Sequence, residues 1–340
     1  MRLLGASEER SRKLTLRHRV RWIEFTPTGS DFESGFLLYE TLRRTFPQDY
    51  GNRMRLRFAP LVKMHLDNPY PRASITSRIG RLGKSEYYGP FPSRAAAEKF
   101  ANDALDFFKM RRCVDDLNPD PGFPGCIYSE MKMCLAPCFQ GCTDEAYGAE
   151  VERVEAFFHT RGDSLVREIS SQREQASAEL RFEDAATLHA RLEKLKPLLA
   201  QLPEIVHRLD GLNGLIIQRS VEPDSVALFP IDRGVISGPI QFSIRQEIVP
   251  GGKTPSMEAR IAHQLELHAP GPSGSALALM EHLAILKHWY FRSSRTGEIF
   301  FAEASEDLPL RRIVRGVARV YKGERAESQM PTAGTAPLVE

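Results

Sequence analysis

The chain has 340 residues, 42% of them hydrophobic and 26% charged, with a net charge of +2. That balance is typical of a soluble globular protein and excludes a global basic field, so any contact with nucleic acid must come from local patches. No apolar run reaches the ~18 residues a membrane span needs. The N-terminal stretch Met1-Arg-Leu-Leu-Gly-Ala-Ser-Glu-Glu-Arg lacks a signal-peptide core, which points to the cytoplasm. The length suits two or three domains of α+β class, each with its own core.

Arg21 to Phe25 is expected to form a strand, ended by Thr26-Pro27-Thr28-Gly29. Ser30 or Asp31 then caps a helix on which Phe32, Phe36, Leu37 and Tyr39 recur at helical spacing, with Pro47 beyond its end. Glu40 lies beside that apolar face. Arg53, Arg55 and Arg57 alternate with Met54, Leu56 and Phe58, a pattern that predicts a strand with one basic face, either able to meet phosphates without reading bases or simply solvated. The turn-rich Tyr87-Tyr88-Gly89-Pro90-Phe91-Pro92-Ser93 precedes a helix from Ala95 to Phe108, which delivers the chain to Arg111-Arg112-Cys113.

All five cysteines fall between Cys113 and Cys142, as Cys113, Cys126, Cys134, Cys138 and Cys142. Such grouping points to joint use of the thiols. Four thiolates close a tetrahedral zinc site or hold an iron–sulfur cluster, and both suit a reducing interior. Buried free thiols or a single disulfide are the plainer alternative. The neighbouring arginines favour the charged, ligand-competent form of the sulfur.

Asp144 to Leu202 is expected to be helical with little interruption, broken at Arg161-Gly162-Asp163 and again near Leu180 to Phe182. The last two helices make an antiparallel hairpin with a narrow apolar seam, too thin to bury much surface. Its spare apolar edge is a candidate docking face for a like hairpin on a partner. From Gly211 short strands are expected at Leu215 to Ile217, Val226 to Ile231 and Ile240 to Ile244, forming a small antiparallel sheet. An apolar helix from Ser275 to Phe291, a basic helix from Leu308 to Tyr321 and a polar tail from Gly323 close the chain. His282 and His288 are too far apart on their helix for an i, i+4 metal pair.

Taken in order, Leu37-Leu38-Tyr39-Glu40, Tyr88-Gly89-Pro90-Phe91-Pro92-Ser93, the thiols with Cys134-Leu-Ala-Pro-Cys138, and Glu179-Leu-Arg-Phe-Glu-Asp-Ala-Ala186 resemble the UvrC family, the nuclease subunits of bacterial nucleotide excision repair. The match runs from Val20 to Gln201, with a looser echo toward Ile244. The resemblance implies a partial GIY-YIG-like α/β domain over 1–86, a cysteine-rich cluster-binding region over 87–143, a UVR-like hairpin over 144–202, a small α+β domain over 203–322 and a disordered tail over 323–340. It implies that Glu40 holds a Mg²⁺ or Mn²⁺ ion stabilising phosphoryl charge, and that Asn52 and Arg12 (or Arg10) belong to the same site. It implies a 4Fe-4S cluster, with Zn²⁺ as the alternative, on Cys113, Cys126, Cys134 and Cys138, and leaves Cys142 without a counterpart. Leu180, Phe182, Glu183, Ala185 and Ala186 match the UVR motif by which the family binds UvrB.

Departures from the family pattern are equally visible. Residues 1–20 hold no tyrosine, and Leu3-Leu4-Gly5 stands where the second GIY-YIG tyrosine motif would fall. No set of aspartates after Arg245 suggests the family's RNase H-like domain, and its helix–hairpin–helix modules are missing. Three functions therefore follow as expectations. One is an excinuclease subunit incising damaged double-stranded DNA. A second is a non-cutting adaptor on UvrB and DNA. The third is a metal-cluster protein outside repair.

Overall fold

The computed structural model describes residues 20–80, 85–114, 117–245, 255–268, 275–302 and 307–324. The fold mixes helices with two antiparallel sheets, the α+β class expected from the sequence. Helix α1, Asp31–Thr45, starts where the Ser30 hydroxyl accepts the Glu33 N–H at 3.1 Å, and Glu33 in return accepts the Gly29 N–H at 2.7 Å. This reciprocal cap satisfies donors that the first helical turn leaves without partners. Phe32, Phe36 and Tyr39 are its buried stripe.

Two expected strands are absent. Residues 20–29 run as irregular chain, with Trp22, Ile23 and Phe25 exposed. Over 53–58 the chain instead forms the end of a short helix, α2 (Tyr50–Met54), and then turns at Arg55, whose φ of 51° is left-handed. The alternation of Arg53, Arg55 and Arg57 therefore does not make one basic strand face; the residues belong to a helix, a left-handed cap and a coil.

The first sheet has the order β2-β1-β3-β4, from β1 (Leu61–His65), β2 (Arg72–Thr76), β3 (Ser85–Gly89) and β4 (His207–Arg208). Tyr87 to Gly89, expected as turn, is the end of β3, and Tyr88 pairs with Arg208 from beyond the helical segment. Helix α3, Arg94–Leu105, is capped by Ser93 and packs on this sheet. Helix α4 (Ile127–Glu130) is a single turn in the cysteine segment. Helices α5 (Asp144–His159), α6 (Asp163–Ala178) and α7 (Phe182–Ala200) follow.

The second sheet comprises β5 (Gly214–Arg219), β6 (Ser225–Asp232), β7 (Val235–Ile236), β8 (Ile240–Ser243) and β9 (Glu298–Phe301). Helices α8 (Met257–Leu267), α9 (Ala276–Tyr290) and α10 (Leu310–Lys322) complete the described chain. α8 and β9 were not foreseen. Helix α10 presses Ile313, Val317 and Val320 onto β5, β6 and β9. Gly316 lies against the Phe300 ring, which an added Cβ would meet at 2.6 Å.

Helix α9 joins the two halves. Phe32 of α1 meets Phe229 of β6 edge-on at 4.9 Å and Trp289 of α9 at 5.1 Å. Deeper in, Glu281 is 3% exposed. Its carboxylate accepts the Tyr39 hydroxyl at 2.7 Å and a short bond from the Tyr50 hydroxyl. A buried carboxylate survives only with such partners. Its neighbour His282 accepts the Ile236 N–H on Nδ1 at 2.9 Å, so the ring is neutral, and burial followed by the Arg43 charge lowers its pKa to about 4.

Candidate functional site

The cysteine segment has little regular structure, and its shape is imposed by a buried frame. Arg111 is 1% exposed; its Nε donates to the Tyr70 carbonyl at 2.8 Å and its Nη1 to the Cys113 sulfur at 3.3 Å. The Arg111 N–H donates to the Tyr147 hydroxyl at 3.1 Å, and that hydroxyl donates to the Pro71 carbonyl at 2.7 Å. Tyr147 thus anchors the segment to α5. Arg112 turns away to pair with Asp106 at 2.7 Å.

Cys126 starts α4, where its N–H donates to the Ser129 hydroxyl oxygen at 3.0 Å. Cys134 precedes Ala136, whose φ of 59° lets its N–H turn back on the Cys134 sulfur at 3.3 Å. Cys138 sits in the short helical turn Pro137–Phe139, and its carbonyl accepts the Asp120 N–H at 2.9 Å. These turns bring Cys113, Cys126, Cys134 and Cys138 to the wall of one small pocket, with Arg111 and Tyr128 beside them. Cys142 is not on that wall. All five are free thiols.

Burial pushes the Cys134 thiol up to about 11; the Ala136 N–H opposes this, and the sulfurs of Cys113, Cys138 and Cys126 add to it. Burial, then Cys126 and Cys113, raises Cys138 in the same way. Sulfurs that discourage one another's ionisation are a donor set short of positive charge, and a bound cation reverses that penalty. Arg111 supplies part of it at Cys113. Among the described residues, no three His, Cys, Asp or Glu side chains are gathered tightly enough to grip an ion as they stand. The sulfurs line a space without closing on a point.

The second feature is the hairpin of α6 and α7. At its root, Leu165, Ile169, Leu192 and Leu195 are buried. From Ser171 to Ala190 the only buried side chain is Ala176. Leu180 takes a left-handed φ of 60° at the turn and is 71% exposed, and Phe182 is 65% exposed. Arg181 bridges Glu179 and Asp184, at 2.8 and 2.6 Å, and stiffens the turn beneath them. Glu183 and Ala186 are exposed and Ala185 half-buried on the first turns of α7. The five residues expected to dock are therefore together at one tip.

The expected nuclease residues are not assembled in this way. Glu40 is exposed on α1, its carboxyl raised by the surrounding protein while Arg43 and Arg44 pull it down. Asn52 is exposed on α2 and gives its amide to Asp49 at 3.2 Å. Arg12, like Arg10 and Leu3-Leu4-Gly5, lies outside the described residues. Of the arginines expected to meet DNA, Arg53 pairs with Asp49 at 3.0 Å and stacks on Phe46. Arg55 and Arg57 instead line a groove that also holds Lys287 and Arg292 from the far end of the chain, cations which no local pattern connects to them.

Residues 59–157, which carry the first sheet up to β3, α3, the thiol quartet and nearly all of α5, match the family model for the middle domain of the UvrC/Cho excinuclease. The chain is UvrC-like. It is 26% identical over 236 residues to the UvrABC system protein C of Methanothermobacter thermautotrophicus, covering 68% of this chain and 39% of that relative. It is 28% identical over 183 residues to the protein of the same name from Methylococcus capsulatus, covering 54% and 30%. With that of Idiomarina loihiensis it shares 32% over 144 residues, covering 40% and 23%. The chain thus spans well under half the length of these relatives. No solved structure matches it. No helix among the described residues is long and apolar enough to cross a membrane.

Proposed function

We propose that the chain is a nucleotide excision repair protein that docks on UvrB through the tip of the α6–α7 hairpin and supports incision of damaged double-stranded DNA. The observation that carries this reading is the pair Leu180 and Phe182, large apolar side chains held in solvent on a stiff, otherwise polar tip. Similarity to proteins named as UvrABC components supports the choice of UvrB as the partner. An apolar helical tip of this kind buries its side chains against the matching face of another hairpin.

The thiol quartet would hold a 4Fe-4S cluster or Zn²⁺. Bound there, the metal would cross-link a segment with little regular secondary structure and add folding energy with it. Arg111 would balance the residual negative charge of a four-thiolate centre from inside the protein. We place cutting by this chain second to docking. Glu40 is an isolated exposed carboxylate rather than one member of a gathered acidic set among the described residues. If it binds Mg²⁺ or Mn²⁺, Glu40→Ala removes metal-dependent nicking and leaves docking intact.

The test is a pull-down of the full chain with UvrB, repeated with Leu180→Ala and Phe182→Ala. Retention by the wild type and a loss of at least about tenfold in each variant is expected for tip residues at an interface centre. Failure of the wild type to bind UvrB would discard the docking assignment. Metal analysis and visible absorbance after oxygen-free purification, with Cys134→Ser as control, decide between cluster, zinc and no metal.

A further inference from the structure

The groove beside α9 has no part in docking or in the thiol site. It measures about 540 Å³ and lies between the start of α1, the chain leaving α2 and the last turns of α9. Its wall carries Arg55, Arg57, Lys287 and Arg292 against the single carboxylate of Asp31, a local net of +3 in a chain whose whole net charge is +2. The C-terminal end of α9 offsets only about half a charge. The groove is therefore a locally basic patch on a chain that is close to neutral as a whole.

Lys287 is held in place beside the others. The Lys287 ammonium is half-buried and donates to the Arg57 carbonyl at 3.2 Å, which fixes the two residues together. Burial, then the Arg57 charge, lowers the Lys287 pKa. Like charges gathered around a half-buried ammonium cost free energy unless an anion joins them. Arg292 reaches Asp31 at only 3.4 Å, with the carboxylate 83% exposed, a pair weak enough for a phosphate to displace.

We infer that this groove binds the phosphodiester backbone of nucleic acid, with Arg55, Arg57 and Lys287 as the phosphate contacts. The lining favours a backbone over a free nucleotide. It offers long cationic side chains and the apolar Met54, Leu56, Ile285 and Trp289, with no glycine loop presenting amide groups to a terminal phosphate. Charge without shaped donors positions a polyanion and does not read bases. The assignment deepens the DNA part of the function proposed above and is independent of hairpin docking. It also lies outside residues 59–157, the span matched by the family model.

The experiment is fluorescence anisotropy of a labelled duplex with the full chain across about 50 to 200 mM salt. In the variant carrying Arg55→Ala, Arg57→Ala and Lys287→Gln, affinity should fall at least about tenfold. The slope of log affinity on log salt should become shallower by about 3, one per lost phosphate contact. Arg53→Ala should change neither, because Arg53 is spent on Asp49 outside the groove. Should the triple variant fail a thermal-melt check, Arg55→Glu with Arg57→Glu carries the same expectation with a slope change of about 2, since both side chains are exposed. An unchanged salt slope, equal damage from Arg53→Ala, or displacement of the duplex by ATP or inorganic phosphate as readily as by unlabelled duplex would overturn the assignment. Phe182→Ala should leave this binding intact, so failure of docking and failure of the groove are separable.

Discussion

The junction of α1, α2 and α9 and the tip of the α6–α7 hairpin depart from ordinary burial in opposite directions. At the junction polar groups are inside, with Glu281 3% and His282 6% exposed. At the tip apolar groups are outside, with Leu180 71% and Phe182 65% exposed. Every polar group named at the junction has a partner within the chain: Tyr39 and Tyr50 for Glu281, the Ile236 amide for His282. Leu180 and Phe182 belong to neither hydrophobic core. A buried polar group with internal partners serves the architecture, whereas an exposed apolar one without them is explained by something outside the chain.

The contrast can be broken most forcefully at Glu281. Glu281→Ala strips the acceptor from two buried tyrosine hydroxyls and leaves a cavity, at a cost of about 3–5 kcal/mol in denaturant unfolding. A loss below about 1 kcal/mol would show that the junction does not depend on this carboxylate.

Next in size is a pH effect at His282, whose pKa is about 4 when folded and 6.5 ordinarily. As pH falls from 6.5 toward 4, the unfolded chain takes up a proton that the folded chain refuses, so this contribution to stability is present above that window and is lost within it. The whole change is about 3 kcal/mol. On α1, Phe36 and Tyr39 meet the ring edge-on and the Arg43 charge discourages the cation, while β7 offers only the Ile236 N–H, so none of these supplies an anion. The adjacent Glu281 carboxylate is already engaged by both tyrosines. His282→Gln should flatten the pH–stability curve over this window, and curves that stay parallel would refute the assignment.

Leu180→Gly relieves a left-handed leucine and should raise stability by up to about 1 kcal/mol while weakening docking. Smallest of all, Phe182→Ala should shift the melting free energy by no more than about 0.5 kcal/mol. A large destabilisation there would place Phe182 with the junction rather than with a partner.

What the sequence revealed follows the range of the interactions. Helix α1 was legible because Ser30, Glu33 and the Phe32, Phe36 and Tyr39 stripe are all local. The hairpin was legible for the same reason, as were the strands at β5, β6 and β8. The Glu281 network was not, since its partners lie 242 and 231 residues away. Alternation misled at 53–58: Arg53, Arg55 and Arg57 at period two fit a strand, but Arg53 lies in the last turn of a helix and Arg55 caps it with a left-handed φ. In the thiol segment the cysteines were visible at once. The buried Arg111 and its anchor Tyr147 were not, because nothing in a lone arginine or tyrosine announces burial.

Gly162, at the joint between α5 and α6, has a φ of +98° that other residues rarely adopt, and an added Cβ would lie 2.3 Å from Leu199 of α7. The direction in which the hairpin points is thus fixed at its root by the lack of a methyl group. Helix α6 has 16 residues, so it acts as a lever of about 24 Å. A tilt of about 10° at this pivot would swing the far end by about 4 Å, enough to carry Phe182 out of register with whatever it meets.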